Sequence, residues 1–362
     1  MFGDVPEHLI PVLFSKNLMR CFMNHLALPD RYLHRITLKV LKAIHARVEI
    51  EPQIRTAVIR GLLGPNGHAN FDYVTKTKTV EKLLSQIDAQ ILRTVLPLFE
   101  HLILKPQVRE ETGAASRRQM LADQLLSVLR SRQIDGLSKA AVSEYNACME
   151  HLLTFFVDVA YFSPRLAVEP SISKASQDVF KSRIASCLTH MVAKTEDPAQ
   201  FPYYVVTTIH KREKEDADNR PLFDADDNIR KNVARAWKTL DKVHLKAVKP
   251  RASGQNMLRA FKLLYSLTIL QTYNGDSESV NILDELRSCY DSLVKHRDKD
   301  NQGGSEIMVE ILLSLVSKPS LLFRRLAQHV FGAFAPSVNA AGLQSMIAVS
   351  QLHFIGRFTH ES

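Results

Sequence analysis

Apolar residues recur along this chain at spacings of three and four. Leu38, Leu41, Ala43, Ile44 and Val48 form one stripe, and Leu121, Leu125, Val128 and Leu129 form another. Met257, Leu258, Phe261, Leu264, Leu267 and Leu270 form a third. This is the helical period, and no stretch shows the strict alternation of a half-buried strand. The pattern predicts about a dozen helices of roughly 12 to 24 residues. Breakers separate them at Pro29-Asp30, Gly64-Pro65-Asn66-Gly67, Gly113, Asp135-Gly136, Pro164, Pro170, Pro198, Pro202, Pro250, Gly275, Gly303-Gly304 and Pro319.

Many amphipathic helices joined by short links predict an all-α fold, an α-solenoid of stacked helix pairs of the HEAT or armadillo kind. A short internal echo agrees with that expectation. Ala147-Cys148-Met149-Glu150-His151-Leu152-Leu153 resembles Ser186-Cys187-Leu188-Thr189-His190-Met191-Val192 at an offset of 39 residues, close to the length of such repeats. Two segments read differently. Residues 211–228 are charged with both signs and read as an exposed loop. Residues 296–305, which include Gly303-Gly304, read as a flexible linker.

Composition supports the helical reading: 13 Gly and 15 Pro in 362 residues are too few turn formers for an all-β chain. The four cysteines, Cys21, Cys148, Cys187 and Cys289, lie far apart, which suits a reducing compartment. Residues 1–7 carry neither the basic nor the apolar region of a secretory leader. Acidic residues interrupt the apolar runs, as Asp158 and Glu310 do, so no membrane contact is expected.

Net charge is +9, and one segment concentrates it. Residues 229–251 hold eight Lys or Arg against a single acid, Asp241, a local charge of +7. On a helical projection Lys231, Arg235, Lys238, Lys242, Lys246 and Lys249 fall within about 80°. Ile229, Val233, Ala236, Trp237, Leu240, Val243 and Ala247 fall opposite. Arg251 follows. Asp224, Asp226 and Asp227 precede the helix, where carboxylates complement its dipole. Such a row can track a phosphate backbone through counterion release, with little sequence preference because nothing in it reads bases. An ordinary solvated helix face would carry the same lysines, and an acidic protein partner would satisfy the same ridge.

A second candidate is Phe71-Asp72-Tyr73-Val74-Thr75-Lys76-Thr77-Lys78-Thr79-Val80-Glu81-Lys82. Hydroxyls and the ammonium groups of Lys76 and Lys78 precede a helix whose N-terminal N–H groups could take an anion. It lacks the glycine and lysine spacing of a P-loop. The alternative is a capped helix with solvated lysines.

Catalytic and metal readings find little support. Cys148/His151 and Cys187/His190 each put two potential ligands on one helix face, yet buried cysteines in apolar helices are ordinary packing. Asp216/Asp218 and Asp224/Asp226 have the spacing of paired metal-binding carboxylates, but sit in the charged loop. Tyr273-Asn274-Gly275-Asp276 only superficially matches a polymerase turn. No catalytic residue, metal ligand, cofactor or small-molecule substrate is assigned.

Gly64-Pro65-Asn66-Gly67 leading into Phe71-Asp72 and Thr75-Lys76-Thr77-Lys78-Thr79-Val80 resembles the signature of the DNA polymerase phi family. Phe2 to Leu9, Asp30-Arg31-Tyr32-Leu33-His34, Val309 to Ser320, Arg324-Arg325 and Val330 to Phe334 are similar to it in the same order. The resemblance covers residues 1–335 and leaves 336–362 as a divergent tail. It implies an internal or truncated segment of a longer helical-repeat protein of the nucleus and nucleolus. It also implies a role in ribosomal RNA gene transcription and ribosome biogenesis, with DNA, pre-rRNA and ribosome-assembly or transcription proteins as partners. The family name implies a template-dependent DNA polymerase, for which the residues show no fixed carboxylate pair. A module that binds only proteins is the remaining alternative.

Overall fold

A computed structural model gives the architecture. It describes residues 5–106, 108, 110–131, 138–162, 168–215, 226–247, 254–295, 302–318, 320–338 and 343–344. The described residues contain helices and no strand.

The helices are α1 (Ile10–Leu13), α2 (Lys16–Leu26), α3 (His34–Ile50), α4 (Arg55–Leu63), α5 (Phe71–Thr75), α6 (Thr79–Ser85), α7 (Ala89–Leu104) and α8 (Glu111–Ser131). They continue as α9 (Lys139–Tyr161), α10 (Lys174–Val192), α11 (Gln200–Glu215), α12 (Asp227–Ala247), α13 (Gln255–Tyr273), α14 (Glu278–Tyr290), α15 (Gln302–Ser317) and α16 (Leu321–Phe334). The described helices outnumber the expected dozen because α1, α4, α5 and α6 are short pieces, too brief to show a periodic stripe.

Packing divides the chain into two compact units, Met1–Ile184 and Ala185–Ser362. Within each, every extensive helix–helix contact joins helices no more than three apart in chain order. That local packing is the rule of an α-solenoid. In the first unit α4 packs on α6 and α7, and α7 on α8 and α9. Arg118 of α8 is fully buried there, its guanidinium donating to the carbonyls of Ile103 (3.1 Å), Ser171 (3.1 Å) and Pro170. Three carbonyls offset the desolvation of that charge.

In the second unit α13 is the core element. Residues Ala260 to Leu270 are all buried, because α11, α12, α14 and α16 pack around it. A helix covered on all sides is apolar on most of its surface, which is why its sequence exceeds the single stripe read from it. The buried Lys262 ammonium bonds Asp197 (3.2 Å), and the Ser266 and Thr268 hydroxyls donate to the Lys262 and Leu264 carbonyls.

Three sequence expectations change here. Residues 211–215 belong to α11 rather than to a loop, stabilised by Lys211–Glu215 (3.7 Å) and Arg212–Glu215 (3.9 Å) pairs at helical spacing. Residues 302–305 begin α15 rather than ending a linker. Gly304 is buried, and a Cβ there would meet Ser292 Oγ at 2.7 Å; its carbonyl accepts from the Cys289 thiol (3.2 Å). Close approach, not flexibility, accounts for that glycine. The 39-residue echo links α9 to the very next helix α10, whereas a helix-pair repeat would link alternate helices. What the two stretches share is a buried face: Cys148, Met149, Leu152 and Leu153 match Cys187, Leu188, Met191 and Val192.

Candidate nucleic-acid interface

Helix α12 begins where the Asp226 carboxylate accepts the Ile229 N–H (2.7 Å), an N-terminal cap. Val233, Ala236, Trp237, Leu240, Val243 and Ala247 are buried, as the apolar stripe requires. Trp237 anchors the helix. Its indole stacks on the His210 ring of α11 at 4.2 Å and 10°, and its N–H donates to the Tyr273 hydroxyl of α13 (3.4 Å). Two turns on, the His244 ring stacks on Tyr203 at 4.3 Å. Burial and then the Lys262 ammonium push the His244 pKa down, against Asp241 and Asp197. The underside of α12 therefore fixes its roll about its axis.

With the roll fixed, Lys231, Arg235, Lys238, Lys242 and Lys246 are all exposed. They span about 22 Å along the axis. Asp241 is exposed too, but falls about 60° outside the row at helical spacing. Two of the cations have local neighbours: Arg235 donates to Asn232 Oδ1 (3.3 Å), and Lys246 donates to the Tyr290 hydroxyl (3.5 Å). Lys231, Lys238 and Lys242 pair with no carboxylate of the described residues. Lys249 and Arg251 lie outside the described residues. Leu245 is 66% exposed beside the cations, a residue the sequence reading missed. The signal was available: Leu245 is the one large apolar residue of α12 out of phase with the buried stripe.

The segment around Lys76 and Lys78 has a different character. Lys76 adopts the left-handed conformation (φ 53°) that closes α5. This turn swings α6 over the side chain of Asp72. Asp72 Oδ1 accepts from the Val80 N–H (3.0 Å) and the Thr77 hydroxyl (3.2 Å), and Oδ2 from the Glu81 N–H (2.9 Å). Burial pushes the Asp72 carboxyl above its ordinary value, opposed by those N–H and hydroxyl donors. The anion expected at the N-terminus of α6 is thus supplied by the chain itself. The hydroxyls of Thr75, Thr77 and Thr79 bond to one another (2.9 and 3.1 Å) rather than facing a ligand. Lys76 is exposed, and Lys78 is exposed with its ammonium 3.6 Å from Glu81.

Other candidates separate. The buried Cys148 thiol donates to the Ala89 carbonyl (3.3 Å), while His151 turns outward to Glu100 (2.7 Å). Among the described residues no group of three or more potential metal ligands converges. Asp216, Asp218 and Asp224 lie outside the described residues, and Asp226 caps α12. Asp276 caps α14 through the Glu278 N–H (3.1 Å) and binds the Lys318 ammonium (2.6 Å). A groove of about 700 Å³ between α6 and α8 is lined by Asp72, Glu81 and Asp123. Asp123 is held by Arg183 (2.5 Å), so all three carboxylates are engaged. No described helix is long and apolar enough to cross a membrane.

Comparison with known proteins places these features in context. The family described as DNA polymerase phi matches residues 1–351. The rDNA transcriptional regulator pol5 of Schizosaccharomyces pombe is 31% identical over 346 residues, covering 90% of this chain and 35% of that protein. The rDNA transcriptional regulator POL5 of Saccharomyces cerevisiae is 25% identical over 360 residues, covering 96% and 32%. A Myb-binding protein 1A-like protein of Danio rerio is 32% identical over 115 residues, 30% of this chain and 9% of that protein. The chain thus spans about a third of the length of the fungal relatives it matches. No solved structure matches it.

Proposed function

Because the chain belongs to the DNA polymerase phi family, we propose that it is a helical scaffold segment acting in ribosomal RNA gene transcription and ribosome biogenesis in the nucleus and nucleolus. In this reading α12 contacts the phosphates of DNA or pre-rRNA, largely without regard to sequence, alongside ribosome-assembly or transcription proteins. The printed names of the fungal relatives, rDNA transcriptional regulators, support the process. The observation that carries the contact is the row of five exposed cations on a helix whose roll is fixed by Trp237. A row on a fixed helix loses little backbone freedom on meeting a polyanion, and each phosphate it neutralises releases counterions.

The test is binding of the whole chain to mixed-sequence duplex DNA and to structured RNA across a salt series. A variant with Lys231, Arg235, Lys238, Lys242 and Lys246 changed to Gln runs beside it. Each lost phosphate contact should flatten the log–log salt slope on duplex DNA by about 0.9. A variant that loses three or more units of slope and most of its affinity supports the contact. Equal binding by both proteins refutes it and directs attention to acidic protein partners.

A further inference from the structure

We propose that the turn before α3 and the exposed face of α3 form a binding site for single-stranded nucleic acid, with Tyr32 as a base-stacking platform. The site lies in the first unit. It rests on nucleic-acid binding by the chain but not on α12.

The turn starts from α2. The Arg31 N–H donates to the Leu28 carbonyl (3.2 Å), and the His34 N–H to the Arg31 carbonyl (2.9 Å). The His34 ring Nδ1–H donates to the His25 carbonyl of α2 (2.9 Å). On the other side the buried Thr37 hydroxyl bonds the Leu33 and His34 carbonyls (3.0 and 2.8 Å). The backbone on both sides of Tyr32 is therefore tied down, yet its side chain is not tucked against the protein: Tyr32 is 93% exposed. An aromatic ring left almost wholly in water forgoes the burial that such rings ordinarily contribute to stability. Nothing in the packing of the described residues of the unit calls for a tyrosine there.

Cations flank it in the chain. Arg31 is exposed in the turn, and Arg35, Lys39 and Lys42 are exposed on α3. At ~100° per residue the last three fall within about 60° of one another and span about 10 Å of axis. None pairs with a carboxylate of the described residues. The sequence contains no Asp or Glu from Arg31 to Val48, so no acid sits in the row. Ala46, small and exposed, follows in the same line and leaves it open.

A row of cations beside an outward aromatic ring is the combination that holds unpaired strands. The ammonium and guanidinium groups follow the phosphates while a base lies on the ring. A duplex offers the same phosphates but keeps its base faces stacked internally, so it can use the cations and not Tyr32. A protein partner would bury the ring but would need acidic side chains to match four cations.

The experiment measures affinity of the whole chain for oligouridine and oligodeoxythymidine of about 15 nucleotides, within the range of such sites, and for a duplex of the same length. Oligomers carrying a central 2-aminopurine report stacking by quenching. Tyr32→Ala should weaken single-strand binding by about 5- to 150-fold, the range for one lost stacked base. It should abolish the quench and leave duplex affinity within about twofold, while Tyr32→Phe keeps both. Changing Arg35, Lys39 and Lys42 together to Gln should flatten the single-strand salt slope by about 2. The two oligomers show whether ribose or deoxyribose is preferred.

Unchanged single-strand affinity in Tyr32→Ala overturns the proposal and leaves the face to a protein partner. Equal losses on single strand and duplex also overturn it, because stacking would then not be the interaction. Repeating the series in the α12 glutamine background separates the two readings. If α12 is not a contact, the background changes nothing and the Tyr32 effect persists. If Tyr32 is not a platform, its effect is absent in both backgrounds.

Discussion

Replacing Asp72 by alanine removes one carboxylate that serves three donors, the N–H groups of Val80 and Glu81 and the hydroxyl of Thr77. Loss of a helix cap costs about 0.5–2 kcal/mol. Hydrogen bonds to a charged acceptor each contribute about 1.5–3 kcal/mol when buried. Asp72 is only half-buried, so water replaces part of what is lost, and about 2 kcal/mol is the expected local destabilisation of α6. At ~1.4 kcal/mol per tenfold, the amide protons of Val80 and Glu81 should then exchange with solvent about 30-fold faster. Hydrogen exchange read by NMR measures this directly and does not depend on how the rest of the chain unfolds. Sulfate supplies the complementary arm. In the variant the vacated N–H groups form an empty anion position at a helix N-terminus, so added sulfate should slow exchange there while leaving the parent chain unchanged. Exchange in Asp72→Ala within twofold of the parent would refute the capping argument. A parent chain protected by sulfate would show that the N-terminus of α6 is open after all.

Adjacent glycines in α15 should behave oppositely. A Cβ at Gly304 meets Ser292 and Leu293 at 2.7–3.0 Å, whereas one at Gly303 meets nothing within 4 Å. Gly304→Ala should destabilise the second unit by about 1–3 kcal/mol through overpacking, and Gly303→Ala should stabilise it by about 0.5 kcal/mol through helix propensity; thermal unfolding followed by circular dichroism compares them. The Asp276–Lys318 pair predicts an acid-sensitive joint between α14 and the end of α15. Burial raises the Asp276 carboxyl, but the Lys318 ammonium and the Glu278 N–H outweigh it, leaving the group below its ordinary value of 3.8. The folded chain thus binds fewer protons than the unfolded chain, so the contribution is present above about pH 4 and is lost as pH falls through the lowered value. Stability measured by urea unfolding between about pH 5 and pH 2 should fall less steeply in Asp276→Asn than in the parent; equal slopes would dismiss the pair as a contributor.

Helical periodicity is a property of neighbours in sequence, so the all-α class, the buried face of α12 and the cation row opposite it were legible without coordinates. The carboxylates at the start of α12 were legible for the same reason, and the structure shows that Asp226 is the one that caps it. Features that depend on a chain reversal were not. Thr75 to Thr79 left a ligand loop and a capped helix both open, because hydroxyls, ammonium groups and a helix start adjoin there. Only the left-handed turn at Lys76 brings the Asp72 carboxylate onto the N–H groups eight and nine residues later, and fills the position. Gly303-Gly304 read as flexible because glycine is the residue of mobile links, while the contact with Ser292 that makes Gly304 necessary comes from a helix that precedes it in the chain. The exposed ring of Tyr32 was named in the sequence but given no role, since a tyrosine beside Leu33 is as fit for a core as for solvent. Local spacing determines which side of a helix is apolar. Whether a polar group on the other side meets solvent, a ligand or the chain's own backbone is decided by elements that arrive from elsewhere in the fold.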